Sequence, residues 1–238
     1  MIHFITYADN KFKLAKERLY NEALNTKWFD TVTSYGPEDL DDIFKKKFKN
    51  ILNQGRGGGY WIWKLYVIHK KLSEINSDDV LIYLDAGCSI NIKGENRFRE
   101  YIKMLEDRSE GIISFQMTHL PEKLYTVKEI FEYFNVEING EIANSGQIMA
   151  TINIMKKNSN SLHIVNTWLH ALESNSSLFT DEYNKNQKPY FRDNRHDQSV
   201  FSVLRKLNNT ILLKDETYFP FGNKESLKYP FWATRRRN

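Results

Sequence analysis

Short apolar runs and amphipathic stretches of helical spacing follow one another along this chain in regular turn. Ile2 to Tyr7 reads as a strand. Asp9 or Asn10 can then cap a helix with Phe12, Ala15, Leu19 and Ala23 on one face. Phe29 to Tyr35 is a second strand, closed by Gly36-Pro37. Asp39 to Asn53 is helical, with Leu40, Ile43, Phe44, Phe48, Ile51 and Leu52 as its apolar stripe. The run Gln54-Gly55-Arg56-Gly57-Gly58-Gly59 leads into an aromatic-rich helix, Tyr60 to Ile75. The strand Val80 to Leu84 follows, then a helix over 95–107 and a strand over 112–117.

In the second half, Thr126 and Glu129 have capping-box spacing for a helix through Phe134. Gln147 to Ile154 reads as a strand. Ser159 or Asn160 starts a helix carrying Leu162, Val165, Trp168, Leu169 and Leu172. A polar stretch from Ser174 to Asn194 has little periodicity, and a loop of this length in a compact domain usually serves function. His196 to Leu207 is helical and Thr210 to Leu213 a short strand. Strand and helix alternate throughout, without repeats or low-complexity linkers. The pattern predicts one α/β domain over 1–238 with a mostly parallel central sheet flanked by helices, and residues 220–238 as a C-terminal tail.

Composition narrows the class. Hydrophobic residues make up 41% and charged residues 27%, as in an ordinary globular chain. No apolar run approaches the roughly 20 residues of a bilayer span. Met1 to Thr6 reads as a first strand, not as a leader, and the single cysteine excludes an internal disulfide; together they predict a cytoplasmic protein. The net charge of +4 is spread along the length, so no concentrated basic face suggests nucleic acid. One local exception is Arg235-Arg236-Arg237 after Tyr229, Phe231 and Trp232. It reads as a frayed, solvated end, with a weak peripheral contact to anionic lipid, or binding of a polyanion, as the functional alternative.

Several segments could carry chemistry. Val80 to Leu84 is apolar throughout and runs into Asp85, followed by the small residues Ala86 and Gly87. In open α/β sheets ligands gather at the carboxyl ends of such strands. Asp85 could ligate a hard cation, accept from ribose or sugar hydroxyls, or merely cap. The glycine run could cradle a phosphate on its amides, with Arg56 adding charge, or be a flexible turn; it fits neither GxxxxGK[ST] nor GxGxxG. Lys64, among Tyr60, Trp61, Trp63 and Tyr66, could pair with a diphosphate or simply snorkel from a core helix. His196 and Asp197 offer an imidazole and a carboxylate as metal ligand and general base, although Asp197 in a first helical turn also suits the macrodipole. Asn144-Ser145-Gly146-Gln147 suits either hydroxyl recognition or a turn.

Taken together these segments resemble the nucleotide-sugar-dependent glycosyltransferases of the GT-A fold, and most of all small bacterial and large-virus enzymes of surface-glycan assembly. The likeness spans about residues 2–204. It is carried, in order, by Phe4 to Asp9, Gly58 to Lys64, Tyr83 to Gly87, and Asn144-Ser145-Gly146 with His196-Asp197-Gln198-Ser199. The resemblance implies a nucleotide-diphospho-sugar transferase domain in which Thr6, Tyr7 and Asp9 hold base and ribose. Arg56, Lys64, Asp85 and Ala86 would complete the donor site. Asp85 would match the first Asp of the DxD motif, which binds ribose and a divalent Mn²⁺ or Mg²⁺. The second motif position is Gly87, so His196 or another group would have to complete the coordination. Asn144 to Gln147 would touch the transferred sugar. Asp197 would be the base that takes the acceptor proton, with His119 and Glu122 as second choices on the acceptor side.

The resulting expectation is transfer of a sugar from a nucleoside diphosphate, UDP favoured, to a glycan or lipid-linked acceptor in surface-polysaccharide or glycoconjugate synthesis. A sugar-nucleotide nucleotidyltransferase is the first rival, but Thr6-Tyr7-Ala8-Asp9 stands where that class carries a glycine-rich basic loop. A non-catalytic nucleotide-sugar-binding protein is the second. A glycoside hydrolase fits less well, for want of paired carboxylates on neighbouring strand ends.

Overall fold

Period-two burial fixes which way each strand faces. In the computed structural model, which describes residues 1–237, β1 (Ile2–Tyr7) sends Ile5 and Tyr7 into one hydrophobic cluster and Phe4 into another. β2 (Thr31–Tyr35) pairs with it in parallel. On the other side of β1 lies β3 (Val80–Leu84), buried at every position, with Leu81 and Tyr83 on the first side and Val80, Ile82 and Leu84 on the second. Both faces of the sheet are therefore covered, which is why β3 is apolar throughout instead of alternating.

A two-residue β4 (Ser89–Ile90) leaves the sheet, and β5 (Ile112–Pro121) returns to it. β6 (Gly146–Ile148) and β7 (Ile152–Lys156) both run antiparallel to β5, and β7 also pairs antiparallel with β3. β8 (Ile211–Lys214) adds to β5 in parallel. The seven-stranded sheet thus has the order β2-β1-β3-β7-β5-β6 with β8 on β5. Its β1, β2, β3, β5 and β8 point one way and β6 and β7 the other. A separate ribbon joins β4 to β9 (Phe231–Trp232).

Three helices cover the first face: Ile62–Glu74, Ser159–Ser174 and Asp197–Leu207. Trp168 and Phe201 lock two of them by stacking at 4.0 Å. The helix Glu95–Asp107 has the predicted bounds and packs Phe98, Tyr101 and Leu105 into the second cluster, which also takes Leu19 and Ala23 from the helix Lys13–Thr26. Among the described residues no helix is long and apolar enough to cross a membrane.

Local departures have local causes. The helix expected over 39–53 breaks into Asp42–Lys47 and Lys49–Leu52 at Phe48, whose φ of −108° and ψ of 21° leave the helical region; Phe44 and Phe48 are buried and Ile43 is 80% exposed. The capping box at Thr126 does not form: that hydroxyl donates to Glu122, and Glu129 accepts from Gln187 and the Asn184 amide. The helix Lys128–Tyr133 accordingly starts without a side-chain cap. The single strand expected over 147–154 is interrupted at 149–151, where the Ala150 amide turns to the side chain of Gln198.

Candidate functional site

Two helices aim their first turns at the carboxyl end of β3. The first, Ile62–Glu74, is entered through a rare backbone: Gly57, Gly58, Gly59, Tyr60 and Trp61 all have positive φ. Glycine tolerates this region, but Tyr60 and Trp61 each carry strain on the order of 1 kcal/mol or more. Gly59 has no alternative, since a Cβ there would lie 2.7 Å from the Leu52 Cα. The second helix, Asp197–Leu207, follows His196, whose φ of 55° and ψ of −119° are equally unusual. The two strained entries touch. The His196 ring stacks on Tyr60 at 4.9 Å, and its Nε2 bonds Asp181 at 2.9 Å.

These entries bring Lys64 and Asp197 together. The Lys64 ammonium donates to Asp197 Oδ2 at 2.8 Å and lies 3.2 Å from Asp85 Oδ1. Tyr83 also donates to Asp85 Oδ1, at 2.7 Å, and burial keeps its phenol protonated. Lys64 is 3% exposed, Asp197 likewise, whereas the Asp85 side chain keeps 25% of its surface. Burial pushes Asp197 up to about 6, against the opposing charge of Lys64. Burial by itself would lower the amine, but the charges of Asp197 and Asp85 outweigh that and raise it, so Lys64 stays a cation.

The triad forms the floor of a cleft of about 770 Å³. Tyr7 stacks on Trp63 at 4.0 Å along one wall, next to Asp9, Gly57, Gly58 and Trp61. Arg195 and Gln198 line it from the entry and first turn of the Asp197 helix. The remaining wall is Arg235-Arg236-Arg237, the segment expected to be a frayed end. It is tied down instead. β9 pairs with β4, Ala233 donates to Thr217, and the Thr234 hydroxyl and Arg236 amide both donate to the Gly87 carbonyl. The aromatic residues read as a lipid patch are engaged within the protein: Phe231 is buried, Tyr229 stacks on Phe219 and the Trp232 indole donates to Ser226 and Tyr229.

Of the residues singled out from sequence, Tyr7, Asp9, Lys64, Asp85, Ala86 and Asp197 line this cleft. Thr6 does not: its buried hydroxyl ties β1 to β3 through the Leu84 carbonyl. Arg56 pairs with Asp181 and Asp193. The amides of the turn are mostly spent within it, Gly58 on the Gly55 carbonyl, Gly59 on Gln54, Tyr60 on Arg56 and Trp61 on Gly57. Asn144 and Ser145 close a turn through Asn139, Gly140 and Ile142, and Gly146 packs against Met117. Gln147 is buried one layer down and holds Gln198 and Arg195. His119 is exposed away from the cleft. Glu122 is fully buried and accepts from Thr126, Gln147, Ser202 and Lys206, which leaves no oxygen for an acceptor.

A divalent ion, which the DxD resemblance implies at Asp85, does not fit the donors present. His196 is turned to Asp181, and the nearest second carboxylate, Asp197, is paired with Lys64. At position 87 a Cβ would come within 3.2 Å of the Arg235 Cα and 3.3 Å of the Arg236 carbonyl, so the arginine backbone packs closely against the motif position that here carries no carboxylate. Among the described residues no three His, Cys, Asp or Glu side chains group to hold a metal.

No protein-family profile and no curated protein matches the sequence. Solved structures do. A glycosyltransferase involved in glycosylating the major capsid protein of PBCV-1 superposes with a TM-score of 0.55 at 12% identity, over 97% of this chain and 92% of that one. Mouse xyloside xylosyltransferase 1 gives 0.48 at 9% identity, over 98% and 97%. GlyE of Streptococcus pneumoniae gives 0.47 at 12% identity, over 92% of this chain and 47% of that one. The first likeness establishes the fold as the GT-A arrangement, a mixed α/β architecture around one mostly parallel sheet.

Proposed function

We propose that the protein transfers a glycosyl group from a nucleoside diphosphate sugar, with UDP the favoured carrier, to a hydroxyl of a glycan or lipid-linked acceptor in surface-glycan or glycoconjugate assembly. One observation carries the reading. A buried carboxylate, Asp197, is held at the floor of a cationic, aromatic-walled cleft at the carboxyl end of β3, beside the part-exposed Asp85. That is the location at which an α/β sheet binds its ligand.

The residues divide the work by chemistry. The Tyr7–Trp63 stack and Asp9 offer an aromatic face and a carboxylate to a base and ribose. Asp85, fixed by Tyr83 and Lys64, presents its remaining surface to ribose or sugar hydroxyls. In the transfer, an acceptor oxygen bonds to the anomeric carbon while the bond from that carbon to the diphosphate breaks. The electron pair leaves with the diphosphate, and the acceptor proton goes to Asp197. Raised to about 6, that carboxyl is ionised at neutral pH yet more basic than a surface aspartate. Lys64 holds it in place and keeps the floor from carrying two uncompensated negative charges.

The test is a panel of nucleotide sugars with a panel of simple glycoside acceptors, assayed for released nucleoside diphosphate in EDTA and in Mn²⁺. Acceptor-dependent release from one donor is expected. Release or consumption of pyrophosphate would point to a nucleotidyltransferase instead, and neither binding nor turnover with any donor would remove the transferase reading.

A further inference from the structure

Charge in the cleft is lopsided. Lys11, Lys64, Arg195, Arg235, Arg236 and Arg237 line it against only Asp9, Asp85 and Asp197. Lys64 is neutralised by its two carboxylates, but among the described residues Arg195 and the three arginines of the segment make no ion pair. Elsewhere most arginines pair, Arg18 with Glu22, Arg56 with Asp181 and Asp193, Arg97 with Glu216, while Arg192 donates to the Tyr125 hydroxyl and Arg205 to backbone carbonyls. The Arg195 guanidinium lies flat on Tyr125 at 4.0 Å. Arg235 reaches over Tyr218 and Arg237 over Phe12, at 5.7 and 5.8 Å. Aromatic faces orient these cations without satisfying their hydrogen-bond donors, of which Arg195 spends one on Gln147 at 3.4 Å. Burial, with the like charge of Arg235 adding to it, lowers the Arg195 pKa, so an anion placed between them would be welcome.

The segment is held where its side chains count. Its backbone is bonded to Gly87, two residues past Asp85, and packs closely against it. The missing side chain at 87 lets the arginine backbone pack closely there.

We infer that Arg235, Arg236 and Arg237, together with Arg195, bind the diphosphate of the donor, so that fixed guanidinium groups neutralise the leaving group in place of a divalent ion. The inference rests on the nucleotide-sugar reading above. Guanidinium groups suit this task because each offers a planar fork of donors to phosphate oxygens and stays charged as the leaving group gains its negative charge.

Calorimetric titration of UDP, with uridine as the phosphate-free probe, tests it in EDTA and in Mn²⁺. UDP is expected to bind in EDTA with an affinity within about twofold of that in Mn²⁺. The combined variant Arg235→Gln/Arg236→Gln/Arg237→Gln should weaken UDP about tenfold or more, the loss of roughly one charge-assisted contact, and leave uridine unchanged. The matching triple Arg→Lys variant should recover most of the loss, because point charges remain. These side chains are solvent-exposed, so the variants should keep the wild-type melting transition. UDP binding that appears only with Mn²⁺, or a Gln variant that binds UDP as wild type does, would overturn the inference and leave the transferase reading standing. No binding of UDP, GDP, CDP or ADP under either condition would overturn both.

Discussion

Two lysine–carboxylate pairs lie buried among the described residues, and they are built from the same parts. Lys206 donates to Glu122 at 2.7 Å, and Lys64 donates to Asp197 at 2.8 Å. Both carboxylates sit against the helix that begins at Asp197. Around Glu122, however, every oxygen is used, by Thr126, Gln147, Ser202 and Lys206. The floor of the cleft has one ammonium for two carboxylates, and Asp85 keeps a free, part-exposed surface. A saturated buried pair orders a fold. An unsaturated one that opens on a cavity has capacity left for a ligand. Burial and charge alone, which both pairs share, do not distinguish a site from a strut.

Removing each carboxylate should separate these roles. Asp197→Asn is expected to lower transfer by about 10²–10⁴-fold while donor affinity stays within a few-fold, as for loss of a general base. Single-turnover assays with separate donor titrations check this, and near-normal transfer would remove Asp197 as the base. Glu122→Gln, in contrast, leaves Lys206 buried without its counter-charge. It should cost about 3–5 kcal/mol in urea unfolding, with turnover per folded molecule little changed. An equal loss of turnover per folded molecule in both variants would erase the distinction.

The next largest effect is in pH. Because the folded-state Asp197 carboxyl titrates at about 6, its base form is lost as pH falls, and kcat/KM should drop about tenfold per unit below that value. The sign for stability is opposite. A carboxyl whose pKa is raised by folding favours the protonated native state, so its contribution is present at acid pH and disappears as pH rises through about 6. Melting curves across pH 4–8 should therefore show wild type losing stability relative to Asp197→Asn as pH rises through about 6, whatever the constant offset from removing Lys64's partner. Smallest is Thr126→Ala, which removes one of several donors from Glu122 and should cost about 1 kcal/mol without touching turnover.

Much of the scaffold was legible before any coordinates. β3 and the helix Glu95–Asp107 announce themselves because local periodicity coincides with burial on two faces or one. Asp85, which ends a buried strand, and Lys64, which opens an aromatic helix, could be singled out from the sequence, although Lys64 read equally as a snorkelling lysine; both line the cleft. The split of the 39–53 region was not legible, since which apolar residues go inside depends on where the sheet lies. Nor was the spent state of Glu122, whose four donors come from positions 126, 147, 202 and 206 and meet only in three dimensions.

The chain's own order of apolar and polar residues determined the α/β alternation, the carboxylate at the end of β3 and the types of side chain available for chemistry. Tertiary structure decided which of those side chains meet. It turned Arg56 and His196 toward Asp181, joined Lys64 to Asp85 and Asp197, and folded Arg235 to Arg237 back over Gly87. The reason is that propensity and period act over a few residues. Ion pairing and steric exclusion act over a few ångströms between parts of the chain well separated in sequence, by 15 residues for His196 and Asp181 and by 133 for Lys64 and Asp197.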